Sequence, residues 1–290
     1  MNAIIMAAGT SSRFVPLSWE CPKGLLEIKG EILIERQIRQ LHEAGIKDIT
    51  IVTGYMADKF EYLKDKFRVS LVHNPDYARY NNTSTLMCVL DKLQDTWLCS
   101  SDNYFTENVF LEHPAQSQYA AEYAEGSTEE YCLAGDMDDN ICEVTIGGAN
   151  SWYMIGHVYF SKEFSEAFKA ILMSEYGKPE TRQGYWEDVY IKHIDQLPKM
   201  KLRKFEPDII NEFDSLEELR NFDVSYKDNT RSSIMKAIAN KLNCQQSHLM
   251  NFGKYQSASY RYAFTFNDED KQYLFLANHL EDFTIQEIKK

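Results

Sequence analysis

The apolar positions of the first hundred residues fall in short unbroken runs separated by stretches of helical spacing. Ala3-Ile4-Ile5-Met6-Ala7 and Asp48-Ile49-Thr50-Ile51-Val52-Thr53 read as buried strands, as do Ser70-Leu71-Val72 and Thr96-Trp97-Leu98-Cys99-Ser100. Between them, residues 33–41 are amphipathic at a helical period, and 59–67 and 85–93 suit shorter helices. Strands alternating with helices predict βαβ units and a mostly parallel sheet. Ligands of open α/β sheets gather beyond the carboxyl ends of the strands. Gly9, Gly54 and Asp102 all fall at such ends.

After Tyr119 the pattern changes. Residues 131–134, 141–144 and 153–158 read as strands, and Gly147-Gly148 supplies turn chemistry. This predicts a small antiparallel excursion that leaves and rejoins the main sheet. Helices are expected over 164–173, 188–193 and 216–222. A polar stretch at 225–230 then sets off a tail with an amphipathic helix (Ile234, Ile238, Leu242) and a hairpin of 260–266 with 271–276. The expected fold class is α/β: a Rossmann-like mixed, mostly parallel sheet flanked by helices, with a small antiparallel excursion and a C-terminal α+β appendage. The domain boundary is placed between 1–228 and 229–290.

Composition narrows the function. The 290 residues are 44% hydrophobic and 26% charged, the balance of a soluble globular protein. A formal charge of −13 argues against general nucleic-acid binding, which needs a basic footprint, but not against a nucleotide held locally. Cys21, Cys88, Cys99, Cys132, Cys142 and Cys244 form no CxxC pair, which favours free thiols in a reducing cytoplasm. The short apolar N-terminal run has no basic flank, so a signal peptide is not expected, and nor is membrane insertion.

The sharpest local feature is Ala7-Ala8-Gly9-Thr10-Ser11-Ser12-Arg13, followed by Pro16 and Pro22-Lys23. A strand running into a turn of small residues presents successive backbone N–H groups to an anion. Gly9 would allow close backbone approach and a positive φ. Arg13 adds a planar donor fork and Lys23 a point charge for the α-phosphate. The pattern is neither a P-loop nor a dinucleotide fingerprint.

Ala7-Ala8-Gly9, Arg13, Pro16 and Pro22-Lys23 resemble the signature of the sugar-1-phosphate nucleotidyltransferase superfamily. Residues 74–82, 101–104, 185–188 and 212–215 resemble, in order, the bacterial CTP:phosphocholine cytidylyltransferases. The resemblance covers residues 1 to about 225. Two positions depart from it: Ser11 stands where the family usually has glycine, and Ser100 where relatives often carry an acid.

The resemblance implies a Mg²⁺-dependent transfer of CMP from CTP to phosphocholine, with Asp102 and Asp214 as metal ligands. On local sequence alone, Asp102 also reads as a strand-end turn residue and Asp214 as a helix N-cap. The nucleotide is assigned to Ala7, Ala8, Gly9, Thr10, Ser11, Ser12, Gly54, Asn81 and Ser84, with Lys23 and Arg13 as catalytic cations. Asn81 reads equally as a cap. A quaternary ammonium calls for aromatic rings beside carboxylates, so Tyr131, Tyr185, Trp186, Glu187 and Asp188 are assigned to the acceptor, with Trp152 a further candidate. The alternatives are phosphoethanolamine, aminoethylphosphonate or a sugar 1-phosphate as acceptor, or a non-catalytic nucleotide sensor with a partner-binding tail. The tail faintly resembles the start of a choline-kinase-like N-lobe. It is expected to be non-catalytic, for packing or for forming a homodimer.

Overall fold

The computed structural model describes residues 1–288. The strands, in chain order, are β1 (Asn2–Ala7), β2 (Glu27–Ile28), β3 (Glu31–Ile32), β4 (Ile49–Thr53), β5 (Ser70–His73), β6 (Thr96–Ser100), β7 (Asn103–Phe105) and β8 (Gln118–Gly135). They continue as β9 (Ile141–Phe160), β10 (Lys201–Lys204), β11 (Ile210–Glu212), β12 (Leu249–Lys254), β13 (Tyr262–Asp268), β14 (Lys271–His279) and β15 (Asp282–Glu287). The helices are α1 (Leu33–Glu43), α2 (Tyr62–Phe67), α3 (Asn82–Met87), α4 (Lys162–Glu175), α5 (Pro179–Gln183), α6 (Trp186–Lys192), α7 (Leu216–Phe222) and α8 (Ser233–Leu242). No described helix is long and apolar enough to cross a membrane.

The chain divides into two compact units, Met1–Gly9 with Leu33–Glu212, and Thr10–Ile32 with Phe213–Lys290. The boundary expected at 228/229 is a boundary along the sequence, whereas these units interleave. The second unit joins the segment after β1 to the C-terminal part of the chain.

The first unit is built on a seven-stranded sheet in the order β10-β8-β9-β6-β1-β4-β5. β1 runs parallel to β4 and β6, and β5 parallel to β4, so these strands end together at one edge. β9 is antiparallel to both β6 and β8. The expected excursion is therefore one long hairpin, whose base belongs to the main sheet. Ile4, Val52, Leu98 and Val158 pack in one core with Phe160, Phe164 and Phe168. Such near-continuous apolar strands are what a sheet covered on both faces requires. α3 forms over 82–87 rather than the expected 85–93, and a short 3₁₀ turn follows at 90–92. Its early start is fixed by Asn81 at the N-cap and by the Thr83 hydroxyl, which donates to the Thr181 carbonyl at 2.8 Å.

The second unit holds an antiparallel sheet in the order β12-β13-β14-β15. Alternation along these strands brings rings to one face: Phe264 stacks on Phe275 at 4.8 Å, and Phe275 on Phe283 at 4.9 Å. The ladder of β2 and β3 closes through Lys29 and Gly30, with φ of +50° and +82°, the mirror-image turn that suits a two-residue hairpin.

Candidate active site

β1 delivers Ala7 and Ala8, both buried, to the edge of the first unit. The Tyr55 N–H donates to the Ala8 carbonyl at 3.1 Å. A Cβ on Gly54 would lie 2.6 Å from Tyr77 Cβ and 2.8 Å from the Ala8 oxygen, so Gly54 is there to let these segments approach. A Cβ on Gly9 would meet nothing within 4 Å. Gly9 thus presents open space where a ligand backbone contact is expected. The left-handed residue is not Gly9 but Ser11, with φ of +47°. The Phe14 N–H closes this turn on the Ser11 carbonyl at 2.8 Å, and buried Phe14, Val15 and Leu17 anchor it.

This observation gives the Ser11 departure a physical meaning, since left-handed backbone costs an L-residue about 1–2 kcal/mol, a cost glycine escapes. Ser11→Gly is expected to stabilise the protein by about 1 kcal/mol with turnover retained. Denaturant unfolding of the two proteins checks this, and a loss of stability would contradict the assigned turn.

In the second unit Arg13 Nη1 donates to Asp214 Oδ2 at 2.9 Å, and Lys23 Nζ lies 3.8 Å from Asp214 Oδ1. The Lys23 side chain is only 7% exposed, whereas that of Arg13 is 70% exposed. Lys23 is therefore held in a fixed place, while the Arg13 head is largely solvated. The cap of α7 is Ser215, not Asp214. Ser215 Oγ accepts from the Glu218 N–H at 3.1 Å, and the Glu218 carboxylate accepts from the N–H groups of Asp214 and Ser215. This reciprocal box satisfies the helix end and leaves the Asp214 carboxylate to face the two cations.

In the first unit Asp102 follows β6. The Ser101 N–H donates to the Met6 carbonyl at 3.1 Å, Gln37 of α1 donates to the Ser100 carbonyl at 3.1 Å, and the Ser100 hydroxyl donates to Asp102 Oδ1. Ser100 thus orients the carboxylate that follows it. Asp102 and Asp214 offer hard carboxylate oxygens, the donors Mg²⁺ prefers when phosphate oxygens and waters complete its shell. Among the described residues no three His, Cys, Asp or Glu side chains gather into a ready-made cage. The donor chemistry of each carboxylate is of the kind that suits Mg²⁺.

The residues assigned to the acceptor lie where α6 meets the hairpin of β8 and β9. Tyr119 OH donates to Glu187 Oε1 at 3.1 Å, and Asn82 Nδ2 to Glu187 Oε2 at 3.3 Å. Tyr131 OH donates to Asp188 Oδ1 at 2.9 Å, and Asp188 Oδ2 accepts from the Tyr185 N–H at 2.7 Å. Tyr153 OH reaches Glu122, which also accepts from the Ile210 N–H at 3.1 Å. Burial pushes the Glu187 carboxyl up to about 7, despite the hydrogen bonds it accepts. Burial and then Glu122, Glu130 and Glu212 push the Tyr153 phenol up to about 12. Burial and then Glu187 and Glu212 also raise Tyr119 well above its ordinary value. Carboxylates and phenols therefore share one strongly electronegative face. Trp186 corrects the expected cage: it is 1% exposed, stacks on Tyr119 and meets Phe160 and Phe168 edge-on, so it supports that face from the core. Tyr185 is exposed and Tyr131 half-buried.

A MobA-like NTP transferase domain matches residues 3–124. The chain is 31% identical to a choline-phosphate cytidylyltransferase of Streptococcus pneumoniae, over 77% of this chain and 97% of that protein. The chain belongs to the nucleotidyltransferase superfamily. It is 33% identical to a 2-aminoethylphosphonate cytidylyltransferase of Lancefieldella rimae, over 78% of this chain and 93% of the relative. The solved structure of the Streptococcus pneumoniae CTP:phosphocholine cytidylyltransferase superposes with a TM-score of 0.74 at 31% identity, covering 78% of this chain and 99% of that one.

For this nucleotidyltransferase, the sequence-assigned positions separate by exposure. Gly9, Thr10, Ser12 and Arg13 are exposed. Ser84 is buried; its hydroxyl donates to the Asn81 carbonyl at 2.8 Å and accepts from Asn74. It braces the start of α3 rather than meeting solvent, and Asn81 caps that helix. Sequence reasoning missed Tyr119, Glu122, Tyr153 and Glu212. All four sit in strands, where alternation marks a face but not which face carries chemistry. It also missed Asn82, whose Oδ1 accepts the Trp186 N–H at 2.7 Å while its amide holds Glu187. The Asn81-Asn82 pair was the available signal, and the second member is the one aimed at the carboxylate.

Proposed function

We propose that this enzyme transfers CMP from CTP to a small acceptor bearing a phosphoryl group at one end and an ammonium at the other, with phosphocholine the first candidate. The observation that carries the acceptor class is the face of Glu122, Glu187, Asp188 and Glu212 with Tyr119, Tyr131 and Tyr153. It is a concentration of negative charge suited to a cation and unsuited to a neutral sugar. Phosphocholine is favoured by two choline-phosphate cytidylyltransferase relatives, the second in Haemophilus influenzae at 28% identity.

In this reading the backbone N–H groups of residues 9–12 hold the triphosphate, and Lys23 and Arg13 offset the charge that builds as an acceptor oxygen attacks the α-phosphorus and pyrophosphate leaves. Mg²⁺, when held by Asp102 and Asp214, would supply further charge neutralisation on the phosphates. The carboxylate face positions the acceptor by its ammonium. Pyrophosphate release with CTP or UTP against phosphocholine, 2-aminoethylphosphonate, phosphoethanolamine and glucose 1-phosphate tests the assignment. Turnover confined to glucose 1-phosphate would overturn it.

A second reading, 2-aminoethylphosphonate as acceptor, draws on a specific observation. Trp186 is withdrawn into the core, so carboxylates outnumber open rings, which suits a hydrogen-bonding primary ammonium better than a quaternary one. The relative of that name is 33% identical.

The Glu187 carboxyl, at about 7, makes acceptor binding pH-sensitive. Glu187 attracts a cation only when ionised, so the acceptor KM is expected to fall by up to about tenfold between pH 6 and pH 8. Glu187→Gln should flatten that profile, and comparison of the two proteins removes the contribution of the acceptor's own phosphate titration. The effect on folding has the opposite sense. The folded state holds this proton more tightly than the unfolded chain, so stability falls as pH rises from 4.5 through about 7. The substitution should recover it above that range. Identical profiles for the two proteins would remove Glu187 from the acceptor site.

A further inference from the structure

The choline-phosphate and 2-aminoethylphosphonate relatives are almost wholly covered by about three quarters of this chain, so they have no counterpart of its remaining fifth or so. The resemblance in sequence stops near residue 225, yet the C-terminal residues beyond that point are not a separate body. Residues 10–32 and 213–290 form one compact unit, and the contacts between them are specific. Trp19, four residues before Lys23, sets its ring against the sheet of β12 to β15. It meets Tyr262 at 4.9 Å and Phe264 at 5.4 Å, both edge-on, and Phe275 at 6.2 Å.

The next residue, Glu20, closes the start of α8. Its carboxylate accepts the Ser233 N–H at 2.8 Å and the hydroxyls of Ser232 and Ser233. A carboxylate at the N-terminus of a ten-residue helix satisfies orphan donors and meets the positive end of the helix dipole. Farther along, Tyr226 OH donates to the Glu27 carbonyl at 2.8 Å, and the Lys29 N–H donates to Asp223 at 2.7 Å. The Asp214 side is tied in as well. Arg220 of α7 is buried and donates to the carbonyls of Leu249 and Gln246 at 2.7 and 2.6 Å. The Asn251 N–H donates to Glu217 at 2.8 Å.

We propose that Trp19 and Glu20 are positioning residues for nucleotidyl transfer, through which the C-terminal segment 226–287 holds the phosphate-binding segment and Lys23 in their working place. This rests on the reading that residues 9–23 serve the triphosphate. The two anchors act on different parts of the tail, a ring on its sheet and a carboxylate on its helix, so together they fix orientation as well as distance. Neither touches the reacting atoms.

The test uses the full chain with CTP and phosphocholine. Glu20→Ala and Trp19→Ala are expected to raise the KM for CTP about tenfold and to lower kcat, with the acceptor KM unchanged. Trp19→Phe, which keeps a ring on the sheet, should restore most of the loss. Ser233→Ala removes one of the Glu20 partners from the tail side and should shift the CTP KM in the same direction. The double variant Glu20→Ala with Ser233→Ala should be no worse than Glu20→Ala alone, the signature of one shared interaction. Unaltered CTP kinetics in folded Glu20→Ala and Ser233→Ala proteins would overturn the proposal. So would additive losses that fall equally on both substrates. Failure of the underlying loop reading is distinguishable, because Lys23→Met would then also turn over CTP normally.

Discussion

Asp102→Asn is expected to lower turnover on the order of a thousandfold while leaving the fold and its melting temperature in place. The turn carrying Asp102 is held by groups that the substitution does not touch, the Ser101 N–H on Met6 and Gln37 on the Ser100 carbonyl. An asparagine keeps the shape and an oxygen able to accept the Ser100 hydroxyl, so the change removes charge and little else. If Mg²⁺ accompanies the triphosphate, a protein carboxylate would supply the charge it needs here, and that charge is what the substitution removes. Pyrophosphate release at saturating CTP measures the loss. Near-normal turnover with a folded protein would assign Asp102 to the turn alone. A matching loss in Ser100→Ala, smaller in size, would show that orienting the carboxylate also counts.

The second large effect is expected at Lys23. Lys23→Met should cost about a hundredfold or more in kcat, with a smaller change in the KM for CTP. The methionine retains most of the buried stem and removes the ammonium 3.8 Å from Asp214. Because burying an ammonium is itself costly, the substitution should leave stability close to the parent. The split between kcat and KM decides the role. A fall confined to kcat places the charge on the α-phosphorus as it reacts, whereas a change only in KM would place it on the ground-state triphosphate. Lys23→Arg is not expected to rescue, since a planar fork cannot occupy the place of a compact ammonium in so enclosed a setting.

Much of the frame is written locally. The run 96–100 forms a strand over those same residues, because its four buried positions leave no other way to satisfy the backbone. Residues 216–222 form a helix as read, but its cap is the box of Ser215 and Glu218 and not Asp214, the N-cap that the local sequence suggests. What was not legible depends on tertiary partners. α3 begins early because Thr83 finds carbonyls at 181–184, which lie about a hundred residues away. Trp186 looked like a ligand wall and is a core residue, since a tryptophan beside two acids has the same appearance in either setting. The positive φ fell on Ser11 rather than Gly9, because composition shows which residue tolerates the left-handed region, not which one is placed there. The electronegative face was half read. Its α6 members stand side by side in sequence, but Tyr119, Glu122 and Glu212 come from strands β8 and β11.

The interleaving of the two units sets an order on biogenesis. Everything in the first unit has been synthesised once Glu212 has left the ribosome. Residues 10–32 must wait for some 180 further residues before synthesis of the rest of their unit even begins, and Trp19 has no sheet to meet until β13 and β14 follow. A nascent chain stalled near residue 212 would carry the seven-stranded sheet with residues 10–32 still lacking the rest of their unit. The final ordering of residues 10–32 is therefore a late event in the life of the chain, reached only after most of its fold has already formed.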